Sequence, residues 1–219
     1  MKCGVVIVGA GQGVRLGSAV PKAFVLLNSK PLFEYSLKIF QDHSQIQEVV
    51  LVLPQEKLNS VSPKNYKVVV GGESRQDSVT NGLAALSATC EGVLVHDAAR
   101  PFVTKAIVDR LLDGLEQGRN GIAAWPVSDT LKATEGDTIV QTIDRRNLWE
   151  AQTPQAFPVS VLKEALAKAR KDNFVGTDEA SLVERLKLPV EVVLGEATNI
   201  KITTKQDLEL AEAILKRSL

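Results

Sequence analysis

Cysteine and histidine are almost missing from this chain of 219 residues, which has two of each. Cys3 and Cys90 form no metal-ligand or redox spacing, and His43 and His96 form no ligand pair. Zinc chemistry, dithiol chemistry and a base-activated nucleophile therefore all lack their parts. Two such thiols are expected to be buried and reduced, which points to the cytoplasm. A surplus of either charge is missing too, since Lys plus Arg and Asp plus Glu number 26 each. No global field draws the chain to nucleic acid or to an anionic membrane, and any basic site has to be local. No stretch approaches the roughly 20 apolar residues of a membrane span, and the first apolar run is too short for a signal peptide. With no linker, repeat or low-complexity tract, residues 1–219 are expected to form one domain.

What is present is concentrated near the amino terminus. Val5, Val6, Ile7 and Val8 read as a strand buried on both faces. Gly9, Ala10, Gly11, Gly13 and Gly17 follow, with Arg15 among them and Pro21-Lys22 closing the segment. Glycines after a buried strand let a ligand approach backbone N–H groups, and a cradle of that kind suits an anion. Arg15 and Lys22 fit a polyphosphate better than a single carboxylate. A dinucleotide fingerprint is a competing reading, but its third glycine would fall on Val14, and Pro21 interrupts the helix it needs. A phosphate loop of the ATPase kind fails as well, because no Gly-Lys-Ser/Thr ends the segment. A purely structural glycine turn stays open, although it leaves both cations unexplained.

Strands are predicted at 5–8, 24–27, 48–53, 66–70, 92–95, 122–127, 153–158 and 190–194. Helices are predicted at 31–40, 75–86, 105–115, 159–169, 178–186 and 205–216, with Thr177 as the cap of the fifth. Strand and helix alternate through the first half, which predicts a Rossmann-like α/β fold. Its mostly parallel sheet would carry helices on both faces and bind ligands at the carboxyl ends of the strands. The alternation breaks at Ser128. Residues 129–144 read as a β-hairpin around Glu135-Gly136-Asp137, the core of an arm spanning about 128–147. An isolated hairpin is marginal in water, so the arm is expected to pack on a second copy of the chain.

The remaining polar clusters sit at strand ends. Gly71, Gly72, Arg75 and Ser78 follow the third strand, where glycines before a helix start either place N–H groups beside ligand oxygens or base edges or serve only as a cap and turn. Asp97, in HDAARP, is a carboxylate at the end of a central strand, suited to Mg²⁺ beside a triphosphate or else to capping its own loop. His96 reads as a packed residue. Arg145 and Thr130 belong to the arm, and Thr177 and Lys201 lie in the last third. Transfer between two phosphate compounds requires no nucleophilic side chain, because a phosphate monoester is largely dianionic at neutral pH. Such an enzyme positions two anions and neutralises charge at phosphorus.

The ordered series GAGQGVRLG with PK, GGESRQDSV, VHDAARPFV, SDTLK, TIDR with LW, QTPQAF, TDEASLVE and NIKIT covers nearly the whole chain. It resembles the 2-C-methyl-D-erythritol 4-phosphate cytidylyltransferases of the non-mevalonate isoprenoid pathway. The resemblance implies CTP and a polyol phosphate as substrates, Mg²⁺ as cofactor and a homodimer with interlocking arms. It implies Arg15, Lys22, Arg145 and Lys201 as catalytic cations, and Gly9, Ala10, Gly11, Gly13, Gly72, Arg75 and Ser78 as nucleotide contacts. Asp97, Thr130 and Thr177 are implied on the acceptor side, with Asp97 also near the metal. Gly9 stands where the family pattern suggests alanine, and Ala23 where it suggests glutamine. A sister cytidylyltransferase acting on ribitol 5-phosphate shares most of these motifs, and a non-catalytic nucleotide-binding regulator is the rival of another class.

Overall fold

The computed structural model describes residues 1–11, 13 and 20–217. Arg15 and Gly17 lie outside the described residues. The strands are β1 (Cys3–Val8), β2 (Leu26–Leu27), β3 (Lys30–Pro31), β4 (Ile46–Leu53), β5 (Lys67–Val70), β6 (Gly92–Asp97), β7 (Asn120–Pro126), β8 (Leu131–Glu135), β9 (Thr138–Ile143), β10 (Trp149–Pro158) and β11 (Val190–Leu194). The helices are α1 (Leu32–Gln41), α2 (Arg75–Ala85), α3 (Lys105–Glu116), α4 (Val159–Lys171), α5 (Glu179–Glu184) and α6 (Lys205–Arg217).

Seven strands form the central sheet in the order β11-β7-β10-β6-β1-β4-β5. Every pairing is parallel except the two made by β10, which runs against both β6 and β7. The side chains of β1 show why the sheet needs cover on both sides. Val5 and Ile7 pack with α1 and α3 through Phe33, Phe40, Ile107 and Leu111. Val6 points the other way, toward Val79 and Leu83 of α2 and Leu162 and Leu166 of α4. This two-residue period within a wholly apolar strand is what a doubly covered sheet demands. A smaller cluster of Val25, Leu27, Leu32, Ile202 and Ala211 docks α6 against the β2–β3 hairpin.

Helix starts follow local chemistry. Ser74 caps α2 in a capping box with Asp77, and Thr104 accepts from Ile107 N at the start of α3. The predicted cap Thr177 is off by one residue. Asp178 is the cap of α5, because its Oδ1 accepts from Ser181 N at 2.9 Å. That helix also ends earlier than the periodicity suggests, at Glu184, where the backbone turns and Lys187 takes a φ of 58°. The strand predicted at 24–27 is split. Pro21 leads into one 3₁₀ turn at Lys22–Phe24, and only Leu26–Leu27 of the predicted strand pairs with a neighbour.

The hairpin predicted at 129–144 is present as β8 and β9, turned at Gly136 with a φ of 56°. It forms a sheet of its own, apart from the central one. Ile139 and Val140 near its turn are 60% and 54% exposed. No helix among the described residues is long and apolar enough to cross a membrane.

Candidate active site

The chain runs from β1 outward through β4 to β5 on one side and then returns to place β6 on the other side of β1. Loops leaving β1 and β6 therefore diverge, and a crevice opens between them at the carboxyl ends of the strands. A cleft of about 610 Å³ occupies this point. Gly9, Ala10, Gly11, Gly13 and Lys22 line it from the segment after β1, Gly72 from the loop after β5, and Arg75 and Ser78 from the first turn of α2. Asp97 comes from the end of β6, and Lys201 and Thr203 from the segment before α6. Ten residues singled out in the sequence for nucleotide, acceptor or catalytic roles thus share one cavity.

Two glycines make the rim possible. Gly13 has a φ of 72°, and a Cβ there would lie 2.9 Å from Cβ of Lys22, whose backbone N–H reaches back to Gly11 O at 3.3 Å. At Gly72 a Cβ would fall 2.2 Å from Cβ of Asp77 in the capping box, so this backbone lies directly on the first turn of α2. Ser78 is committed locally: its hydroxyl accepts from Gly72 N at 3.1 Å and donates to Ser74 O at 3.0 Å.

Charged groups of alternating sign cross the cleft floor. The Arg75 guanidinium donates from Nη1 and Nη2 to the two oxygens of Glu179, at 2.6 and 3.0 Å. On its other edge Nε donates to Asp97 Oδ1 at 3.1 Å, and Nη2 stands equally near that same oxygen. The second Asp97 oxygen, Oδ2, meets Lys201 Nζ at 2.7 Å. Burial works against the charged forms here, but Arg75 and Lys201 outweigh it at Asp97 and hold its carboxyl well below the usual range. At Arg75, burial is likewise overcome by Asp97 and Glu179, so the guanidinium stays firmly charged. Burial pushes the Glu179 carboxyl up while Arg75 pulls it back. Lys22 Nζ reaches Thr203 Oγ1 at 3.3 Å, so Lys22 and Lys201 face one cavity from different segments.

Behind Asp97 runs a buried relay. His96 Nε2 lies 3.1 Å from Arg100 O, an acceptor, so Nε2 carries the proton and Nδ1 accepts from the Thr153 hydroxyl at 3.1 Å. Thr153 Oγ1 in turn accepts from Asp97 N at 3.0 Å. Asn199 Nδ2 donates to Thr153 O at 2.9 Å and to Gln152 Oε1 at 3.1 Å, while Ile202 N donates to Ala99 O at 2.9 Å. The backbone of Lys201 is thereby flanked by pinned residues on both sides.

Burial lowers His96 from 6.5 to about 4, with Asp97 and the Arg100 carbonyl opposing the shift and the Arg100 charge adding to it. Between these two values the unfolded chain binds a proton that the folded chain refuses, so stability falls as pH drops from 6.5 to about 4, by roughly 3 kcal/mol at most. Urea titrations of the wild type and His96→Asn across that window should show a shallower pH dependence in the variant.

Thr130 and Arg145 stand apart, exposed on the arm, where Arg145 Nη1 donates to Ser128 O. Thr177 is exposed just before the α5 cap. None of the three lines the cleft of a single chain. Glu179, conversely, is not among the residues singled out from the sequence, yet it is 1% exposed and grips Arg75. Its partner, 104 residues away, left no local signal.

Among the described residues no cluster of three or more His, Cys, Asp or Glu side chains is arranged to cage a metal. One ionised carboxylate at a phosphate-sized cleft nevertheless fits Mg²⁺, which commonly takes one or two carboxylates with phosphate oxygens and water. Zinc or calcium would demand more protein ligands.

A mostly parallel α/β sheet whose switch point carries a glycine cradle and convergent lysines suits the binding of a nucleoside triphosphate, and the family the chain matches makes it a nucleotidyltransferase. The family model for 2-C-methyl-D-erythritol 4-phosphate cytidylyltransferase matches residues 3–217. Proteins of that name from Dictyoglomus thermophilum and Syntrophus aciditrophicus are each 44% identical over 97% of this chain, covering 96% and 95% of their own lengths. The crystal structure of the Thermus thermophilus protein of that name superposes with a TM-score of 0.84 at 37% identity, covering 99% of this chain and 100% of that one. The 4-diphosphocytidyl-2C-methyl-D-erythritolsynthase of Anaerococcus prevotii superposes at 0.87 with 29% identity, over 98% and 96% of the two chains. The chain belongs to the 2-C-methyl-D-erythritol 4-phosphate cytidylyltransferase family.

Proposed function

We propose that the cleft catalyses transfer of CMP from CTP to 2-C-methyl-D-erythritol 4-phosphate, and that the residues lining it do so by charge placement alone. An acceptor phosphate oxygen attacks the α-phosphorus, the bond from that phosphorus to the α–β bridging oxygen breaks, and pyrophosphate leaves with the electron pair. The product is 4-diphosphocytidyl-2-C-methyl-D-erythritol. The observation that carries this reading is the meeting of Lys22 and Lys201, from opposite ends of the sequence, beside the glycine cradle.

Gly9, Ala10, Gly11 and Gly13 surround the triphosphate, with Gly72, Arg75 and Ser78 toward the nucleoside. Lys22 and Arg15 neutralise charge building on the α-phosphate oxygens, and Lys201 draws the acceptor phosphate in. Because the Arg75 fork is already engaged by Glu179 and Asp97, its part is to shape the floor of the nucleotide site. Both Asp97 oxygens are engaged, Oδ1 by Arg75 and Oδ2 by Lys201. Asp97 would therefore hold Mg²⁺ through Oδ2 as Lys201 turns to the acceptor phosphate, and the ion would supply charge neutralisation to the triphosphate.

Thr130 and Arg145 are assigned to the cleft of a partner copy, and Thr177 to the acceptor side of its own chain. The apolar, exposed Ile139 and Val140 support such an arm-to-arm homodimer. Use of CTP and two free buried cysteines favour the cytoplasm.

Pyrophosphate release from CTP, measured with each polyol phosphate in turn, tests the assignment. Turnover with methylerythritol phosphate and a kcat/KM for ribitol 5-phosphate lower by about a hundredfold or more, roughly 3 kcal/mol of discrimination, is the expected result. The reverse preference would move the chain's activity to the sister reaction, and binding of CTP without turnover on either would leave a regulator.

A further inference from the structure

Glu179 has no counterpart among the groups given a role above, and its surroundings are unusual for a carboxylate. It is 1% exposed, stands on a helix of six residues, and commits both oxygens to one guanidinium. That guanidinium opens α2, and its far edge holds one oxygen of Asp97, whose other oxygen holds Lys201. The next residue on α2 repeats the link. Gln76 accepts from Gly176 N at 3.1 Å and donates to Phe174 O at 3.4 Å, tying the segment before Thr177 to the nucleotide side of the cleft.

We propose that Glu179 is a positioning residue for the acceptor lysine, acting through Arg75 and Asp97. Resting on the reading of the cleft as a cytidylyltransferase site, this assigns Glu179 the task of dividing Asp97 between two cations. With both Nη groups drawn toward Glu179, Arg75 engages only Oδ1 of Asp97, and Oδ2 is left for Lys201. An Arg75 released from Glu179 would be free to fork onto both oxygens of Asp97, the geometry it prefers. Lys201 would then lose the partner that fixes its position in the cleft. Glu179 thus sets the acceptor side while touching neither substrate.

The test is the kinetics of Glu179→Gln and Glu179→Asp with CTP and the polyol phosphate, alongside the dissociation constant for CTP. Glu179→Gln is expected to raise the acceptor KM, or lower kcat, tenfold or more, with a smaller weakening of CTP binding because Arg75 also shapes the nucleotide floor. Glu179→Asp keeps the charge but retracts the fork, and is expected to show the same split in weaker form. A side chain that only supports the fold would lower the melting temperature and leave the constants of the folded enzyme unchanged. Constants within twofold of wild type in both variants overturn the proposal, as does a loss confined to CTP binding. If Glu179→Gln fails to fold, the Glu179→Asp split decides alone. A wild-type enzyme without turnover on any polyol phosphate would instead defeat the functional reading itself.

Discussion

Lys22→Ala is expected to lower kcat by about a hundredfold or more, roughly 3 kcal/mol of transition-state stabilisation, with little change in the KM for either substrate. The ammonium group sits on the one-turn 3₁₀ helix behind the glycine cradle and reaches Thr203 across the cleft. Its position is therefore set by the loop after β1 and by the segment before α6 at once, a placement that a ground-state phosphate contact does not require. Where charge placement carries the reaction, removing a cation that meets charge only as it develops has to appear in kcat. Steady-state kinetics with both substrates varied will decide. A rise in KM at constant kcat would make Lys22 a uniform binding group and shift the catalytic burden to other cations.

The second large effect concerns stability. Arg75→Met should destabilise the fold by about 3–5 kcal/mol at neutral pH, because the buried Glu179 loses its cation and must either carry an unpaired charge or take up a proton. Asp97 keeps Lys201 and suffers less. The double variant Arg75→Met/Glu179→Met removes both members of the buried pair and should recover most of the loss. The sign with pH is also determined. In Arg75→Met the Glu179 carboxyl has lost the cation that held it down, so it takes up a proton more readily, and the loss of stability should shrink as pH is lowered from about 8 to about 5. Urea denaturation of the wild type and both variants at these two pH values checks the magnitude and the direction. A single variant as stable as wild type would mean that Glu179 is not ionised in the folded chain.

The half of the molecule that was legible in the sequence is the half whose signals are local. Val5 to Val8 declared a doubly buried strand, and the glycines after it declared a turn, without reference to anything distant. Gly72, Arg75 and Ser78 were found because they lie within one capped helix start. What stayed hidden depends on partners remote in sequence. The direction of β10 follows from where the arm returns the chain, and TPQAFP carries no mark of it. Thr177 and Asp178 are both competent caps by residue type, and only the geometry to Ser181 chooses between them. Arg75 is a further case: a guanidinium beside glycines looks like a free phosphate ligand until Glu179 arrives from 104 residues away.

The antiparallel course of β10 has an evolutionary consequence. Pro126, the last residue of β7, pairs with Trp149, the first of β10, so the polypeptide departs and rejoins the sheet at adjacent points. Everything between them can be lengthened, shortened or exchanged without displacing a single strand of the central sheet or any residue of the glycine cradle. A lineage carrying this scaffold is thus able to vary the 127–148 segment as one cassette, while the strands and the cleft they carry are inherited intact.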